Sequence, residues 1–199
     1  MTKQNILKVA AEEFSKYGYD VVSMNKLASK LDVNKATIYY HFKDKKSLYQ
    51  EIIRTLLHLD KNSNEQIIKS NMEPKDKLRE YIKLFIKKIK LNPQIVSMSL
   101  RELANLGANV ENALEEDFEQ DMLVLKQIVL ELNLKKKYKD LDFYELKAMI
   151  TGTINTYYAM QMSHVELKGI KDFNQNSDDV LDYLCEFISD IFVDSLCSD

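Results

Sequence analysis

Turn-forming residues are scarce in this chain, and their scarcity constrains the fold more than any other feature. Only four glycines and two prolines occur in 199 residues, so breaks between elements are few and the elements are long. Apolar residues recur every three to four positions along most of the sequence, which is the period of an amphipathic helix. The pattern therefore predicts an all-α protein.

Residues that start and stop helices divide this pattern into two regions. The first fifty residues predict short helices, with Gly18 as a left-handed cap and Ser23, Asn34 and Asp44 as N-caps. The predicted ranges in the order of the chain are 3–17, 24–31, 35–41, 46–70, 75–91, 93–106, 109–133, 142–168 and 178–197. Three short helices joined by tight turns indicate a helix-turn-helix domain over 1–47, with an ordinary small helical bundle as the alternative, and a longer helical bundle is expected over 48–199.

Charge is distributed unevenly between these regions. Residues 1–50 carry nine lysines against five acidic residues, a balance of +4, although the net charge of the whole chain is −3. A basic N-terminal region on an acidic body is expected where only that region meets a polyanion.

The two cysteines and the hydropathy pattern indicate the cellular compartment of the protein. Cys185 and Cys197 are too few for a disulfide framework, and no apolar run reaches membrane-spanning length. We expect a cytoplasmic protein. Either thiol could sense oxidants, but a buried or terminal thiol without such a role is the preferred interpretation.

The stretch 33–46, VNKATIYYHFKDKK, combines aromatic and basic side chains on a short predicted helix. Ile38 and Phe42 lie four residues apart and are predicted to face inward. The remaining positions carry donors and positive charge at a helix N-terminus, which is what a phosphate-binding surface requires. A solvated polar face is the alternative, but it does not explain why two tyrosines, Tyr39 and Tyr40, occur there.

Residues 6–52 closely resemble the DNA-binding domain of the TetR family of bacterial transcriptional regulators. The resemblance is carried by AAEEFSKYGYDVVSMNKLASKLDVNKATIYYHFKDKKSLYQEI, above all by the Thr37-Ile38-Tyr39 and His41-Phe42 motifs followed by Lys45. It implies that 35–41 is a recognition helix in the major groove. The implied base-reading residues are Lys35, Ala36 and Thr37, and the implied phosphate contacts are Ser23, Tyr39, Tyr40, His41 and Lys45.

A single helix-turn-helix reads few bases, so we expect a homodimer on an inverted-repeat, double-stranded DNA operator. Apolar faces on the last two long helices predict the interface, and in TetR-like proteins these helices form an intersubunit four-helix bundle. Packing within one subunit is the alternative. The predicted interface residues are Met149, Ile150, Ile154, Leu181, Leu184, Ile188 and Ile191.

The same resemblance implies a small-molecule effector site in the body. Met and Tyr side chains suit irregular apolar ligands, although residues at helical spacing often form ordinary core. The candidate lining residues are Tyr81, Phe85, Met98, Phe118, Met122, Tyr157, Tyr158 and Met162. The acidic run from Glu115 to Asp121 could attract a cationic effector, but a solvated helix face is preferred.

Three functional classes follow from these patterns. The leading one is a ligand-responsive DNA-binding repressor that is released from DNA when an effector binds. The second is a DNA-binding regulator whose body responds to a partner protein or to thiol oxidation. An enzyme is disfavoured because the sequence has no glycine-rich phosphate loop, metal-ligand cluster or nucleophile–base pair. We expect no cofactor.

Overall fold

The computed structural model describes residues 2–58, 61–110, 115–162 and 178–198. Within these ranges the chain is helical and has no strands, which confirms the all-α prediction. The helices are α1 Lys3–Tyr17, α2 Met24–Leu31, α3 Lys35–His41, α4 Lys45–His58, α5 Lys61–Lys69, α6 Pro74–Leu91, α7 Gln94–Ala104, α8 Glu115–Glu131, α9 Phe143–Met162 and α10 Asp178–Leu196. A short 3₁₀ helix covers Lys136–Tyr138.

The chain divides into two compact units. Unit 1 comprises residues 1–59 and 91–118, and unit 2 comprises residues 60–90 and 119–199. The proposed DNA-binding domain, 1–47, lies wholly inside unit 1, whereas the proposed effector-binding and dimerisation domain, 48–199, contributes to both units.

Unit 1 is built around the apolar faces of its first four helices. Phe14, Leu27, Ile38 and Leu48 are fully buried and come from α1, α2, α3 and α4 respectively. Helix α7 packs against α1 and α4, so a helix distant in sequence supports the N-terminal helices.

Unit 2 contains the remaining long helices. Both an apolar core and polar contacts hold these helices together. Lys77 of α6 pairs with Glu131 of α8 at 2.7 Å, and Arg79 of α6 pairs with Asp190 of α10 at 3.2 Å. Near the end of the chain, Leu134 and Cys197 form an isolated antiparallel bridge. In the described part of the chain, no helix is both long enough and apolar enough to cross a membrane.

Candidate DNA-binding surface and effector region

Side chains and backbone geometry define the ends of α2 and the start of α3. Ser23 Oγ accepts a hydrogen bond from the Lys26 backbone N–H at 3.1 Å, and Asn34 Oδ1 accepts one from Ala36 N–H at 2.9 Å. Asp32 takes the left-handed conformation, with φ 51° and ψ 49°, and so closes α2. Helix α3 therefore starts only three residues after Asp32, and the two helices form a helix-turn-helix.

Helix α3 is held to unit 1 by its inward face. Ile38 is fully buried and Phe42, which follows the last helical residue, is 4% exposed. The outward face carries Lys35, Ala36 and Tyr39, which are exposed, and Tyr40, which is 85% exposed. The division predicted for the stretch 33–46 is confirmed for the anchor residues.

The other predicted DNA contacts lie beside this face. Thr37, His41 and Lys45 are half-buried, and Ser23 is exposed at the N-terminus of α2. Lys45 Nζ lies 4.2 Å from the centre of the Tyr19 ring and donates to the Asp20 carbonyl at 3.4 Å. Partial burial lowers the pKa of Lys45, and these contacts fix the direction of its side chain.

Other lysines of unit 1 pair with acidic side chains. Lys30 and Lys26 both contact the carboxylate of Glu13, which is 3% exposed. Hydrogen bonding from Lys30 holds the pKa of Glu13 below its ordinary value. Their charge is therefore partly neutralised within the protein, unlike that of the exposed Lys35.

A buried carboxylate joins α4 to α7 within unit 1. The Tyr49 hydroxyl donates a hydrogen bond to Glu102 Oε1 at 2.7 Å, and Asn109 Nδ2 donates one to the same oxygen at 3.0 Å. The Tyr49 ring also packs edge-on against Phe14, at 5.0 Å between ring centres. Burial raises the pKa of Tyr49, so its hydroxyl keeps its proton and remains a donor.

This contact was not predicted from the sequence. Tyr49 and Glu102 lie 53 residues apart, and Glu102 occupies a helix with an ordinary polar and apolar pattern. A tyrosine at an apolar position of α4 was the available signal, because a buried hydroxyl needs a partner.

The candidate effector residues fall into both units. Met98 is buried in unit 1, whereas the other candidates with described side chains belong to unit 2. In unit 2, Tyr81 and Tyr158 are buried, and Phe85, Met122 and Tyr157 are half-buried. Phe118 and Met162 lie outside the described side chains.

A polar cluster in unit 2 was also missed from the sequence. Lys147 of α9 contacts Asp121 of α8 and Tyr81 of α6. Asp121 was expected to lie on a solvated acidic face, but it is half-buried and paired. The available signal was Lys147 itself, which is the one cation of α9 and lies on the same face as the buried Ile150.

The predicted dimer-interface residues differ in exposure. Ile150, Ile154 and Ile188 are 0%, 1% and 5% exposed in a single protomer, so they form protomer core and offer no surface to a second copy. Met149 and Ile191 are 57% and 47% exposed. Leu181 and Leu184 lie outside the described side chains.

The described residues give no support to metal or thiol chemistry. They contain no group of three His, Cys, Asp or Glu side chains that could hold a metal ion. Both cysteines are buried, and burial raises the pKa of the Cys197 thiol. A buried thiol with a raised pKa is a poor nucleophile toward oxidants.

Two closely spaced short helices, the second exposing a basic and aromatic face, define a helix-turn-helix DNA-binding protein. Residues 6–52 match the family described as bacterial regulatory proteins, tetR family. These residues are a DNA-binding domain of that family, and the chain is a DNA-binding transcriptional regulator.

Two relatives and one solved structure show what the chain is similar to. The HTH-type transcriptional regulator YhgD of Bacillus subtilis is 24% identical over 188 residues, covering 81% of this chain and 96% of that protein. The icaADBC negative regulator IcaR of Staphylococcus aureus is 36% identical over 52 residues, covering 26% of this chain and 28% of IcaR. The crystal structure of FadR from Bacillus subtilis shares the fold at a TM-score of 0.73 and 20% identity, covering 98% and 99% of the two chains.

Proposed function

We propose that this protein is a homodimeric repressor that binds an inverted-repeat operator and leaves it when a small molecule binds the body. The main observation that supports DNA binding is the outward face of α3. Tyr40 is 85% exposed there, next to the exposed Lys35 and Tyr39, on a helix anchored from its other side. Such a face supports insertion into the major groove, with Lys35, Ala36 and Thr37 reaching base edges.

Phosphate contacts are proposed for side chains on and around α3. Ser23, Tyr39, Tyr40, His41 and Lys45 all carry side-chain donors, and donors of this kind position a helix on the DNA backbone. Repression is supported by IcaR, a negative regulator whose similarity to this chain covers the same N-terminal region.

Dimerisation is supported by exposed side chains on α9 and α10. Met149 and Ile191 are large, apolar and about half exposed. Along α9, no atom of the other described helices lies within 4 Å of where a Cβ of Gly152 would be, and Thr153 and Thr156 beside it are exposed. Small residues next to an exposed methionine suit close packing against a helix of a second copy.

The effector response is proposed for unit 2. The FadR structure of the same fold is in complex with stearoyl-CoA, so a body of this fold can hold a small molecule. Half-buried Phe85, Met122 and Tyr157 supply adaptable apolar surface in this chain. Binding there would shift α4 and alter the spacing between the two recognition helices, so that both half-sites could no longer be engaged together.

Selection from random DNA duplexes tests the proposal. The full-length protein should enrich an inverted repeat, and Tyr40→Ala should weaken binding to the selected sequence. Lys83→Ala, which removes an exposed lysine of unit 2, should leave the selected sequence and its affinity unchanged. Enrichment of single half-sites alone would contradict the dimeric operator, and enrichment of no sequence would contradict specific DNA recognition.

A further inference from the structure

Three hydrogen-bond donors converge on one carboxylate in unit 2. Asn64 Nδ2 donates to Asp121 Oδ1 at 3.4 Å, and the Tyr81 hydroxyl donates to the same oxygen at 3.3 Å. Lys147 Nζ donates to the other oxygen, Oδ2. The donors come from α5, α6 and α9, whereas Asp121 comes from α8, so four helices meet at this carboxylate.

Lys147 and Tyr81 are in the protonation states that binding a carboxylate requires, an ammonium and a neutral hydroxyl. Burial alone would lower the pKa of Lys147, but its contacts with Tyr81 and Asp121 outweigh burial and hold that pKa above its ordinary value. Burial raises the pKa of Tyr81 to about 12, so the hydroxyl keeps its proton. Lys147 Nζ also lies 4.9 Å and 5.4 Å from the ring centres of Tyr81 and Phe85, which leaves the ammonium among aromatic faces.

Asp121 is more accessible than Lys147 and Tyr81. Its side chain is 34% exposed, whereas that of Lys147 is 15% exposed and Tyr81 is 3% exposed. The Asp121 carboxylate is therefore open to exchange with a ligand from solvent, whereas the ammonium and the phenol are covered.

A contribution to stability alone is a weak explanation for the ion pair between Lys147 and Asp121. A partly buried ion pair is often no more stabilising than apolar residues of similar volume, because both charges lose water. A polar cluster of this kind is better explained when it serves as a switch or a recognition element.

We propose that Asn64, Tyr81 and Lys147 form the receptor for the carboxylate of a small-molecule effector, which binds by replacing the carboxylate of Asp121. Exchange of one carboxylate for another keeps the cluster's charge and keeps each donor paired, so little electrostatic free energy is lost. The half-buried Phe85 ring beside the ammonium offers apolar surface to the rest of the ligand. The inference rests on the proposed effector response and names the chemical class of the effector.

Rescue by acetate tests the receptor without knowledge of the natural ligand. Asp121→Ala removes the resident carboxylate and leaves the three donors. Sodium acetate should raise the Tm of the DNA-free D121A protein, relative to sodium chloride at equal ionic strength. The expected rise is about 2–4 °C at an acetate concentration roughly five times its dissociation constant. The wild-type protein should respond less, because Asp121 competes for the same donors.

A second substitution separates this site from general effects of acetate. The D121A/K147M protein lacks the ammonium and should show no acetate-specific rise. Absence of the rise from D121A, or an equal rise in both proteins, would overturn the proposal. If D121A does not fold, the nearly isosteric Asp121→Asn and its K147M double variant replace it under the same criteria. Because DNA is absent from these measurements, a negative result is distinguishable from a failure of operator binding.

Discussion

At the scale of single residues, Lys45 is the sharpest test of the DNA-binding surface. Its ammonium is directed by the Tyr19 ring and the Asp20 carbonyl, and the family resemblance implies a phosphate contact. Lys45→Ala should lower DNA affinity for specific and unrelated sequences alike. The slope of log affinity against log salt concentration should decrease by about 0.9, because one fewer phosphate is neutralised.

Fluorescence anisotropy at several salt concentrations measures this slope. Lys83→Ala, an exposed lysine of unit 2, is the matched control and should leave the slope unchanged. A slope that is the same in K45A and the wild-type protein would exclude Lys45 from the phosphate contacts.

Tyr49 tests the hydrogen bond that joins α4 to α7. Tyr49→Phe keeps the ring against Phe14 but removes the donor to the buried carboxylate of Glu102. The free energy of unfolding should decrease by about 1.5–3 kcal/mol, the range for a hydrogen bond to a charged group. Denaturant unfolding measures the change.

Tyr19→Phe provides the comparison for Tyr49→Phe. Tyr19 is a half-buried neighbour in the same aromatic cluster, and its hydroxyl makes no hydrogen bond within the described part of the chain. Its substitution should change the free energy of unfolding by less than about 0.5 kcal/mol. Equal losses from the two variants would assign the effect to the aromatic cluster and not to Glu102.

At the scale of elements, Gly18 corrects a local expectation. The sequence predicted a left-handed cap, and Gly18 does have a positive φ of 82°, but its ψ is 166°. That region is accessible almost only to glycine, and other residues there cost about 1–3 kcal/mol. Gly18→Ala and Gly18→Asn should therefore destabilise the protein equally in thermal unfolding, although asparagine tolerates a true left-handed cap.

Asp32 is the matched position for that test. It has the left-handed conformation expected of a helix cap, so Asp32→Gly should be neutral or stabilising by up to about 1 kcal/mol. A Gly18→Asn protein as stable as the wild type would show that residue 18 accepts the left-handed conformation.

Local sequence signals predicted the elements whose ends are fixed by local chemistry. The ranges 3–17 and 35–41 agree with α1 and α3, and the caps at Ser23 and Asn34 are confirmed by their hydrogen bonds. The described part of the predicted helix 46–70 is helical over Lys45–His58 and Lys61–Lys69, and residues 59–60 lie outside the described residues.

Local sequence signals did not predict the contacts between helices that are distant in the chain. Asp121 and Lys147 are separated by 26 residues, and Tyr81 and Lys147 by 66. Each occupies an ordinary position in its own helix, and only the packing of α6, α8 and α9 makes them a cluster. Periodicity identifies which face of a helix is buried, but it does not identify the partner across the core.

At the scale of the whole molecule, the proposed dimer links the two recognition helices. Met149 and Ile191 are exposed in the protomer, so replacing both by Glu places charge on the proposed interface and leaves the protomer core intact. The M149E/I191E protein should be monomeric by light scattering and keep its helical circular dichroism spectrum. Its affinity for the inverted repeat should fall toward that for one half-site, because the second half-site is no longer bound through the same molecule.

Leu130→Glu controls for the introduction of charge on unit 2. Leu130 is 69% exposed on α8, so its substitution should leave both the dimer and the DNA affinity unchanged. Ile188→Glu is unsuitable because Ile188 is buried within the protomer and a charge there would unfold it. A dimer that persists in M149E/I191E would exclude these faces of α9 and α10, and a monomer with undiminished affinity would remove the requirement for two linked half-sites.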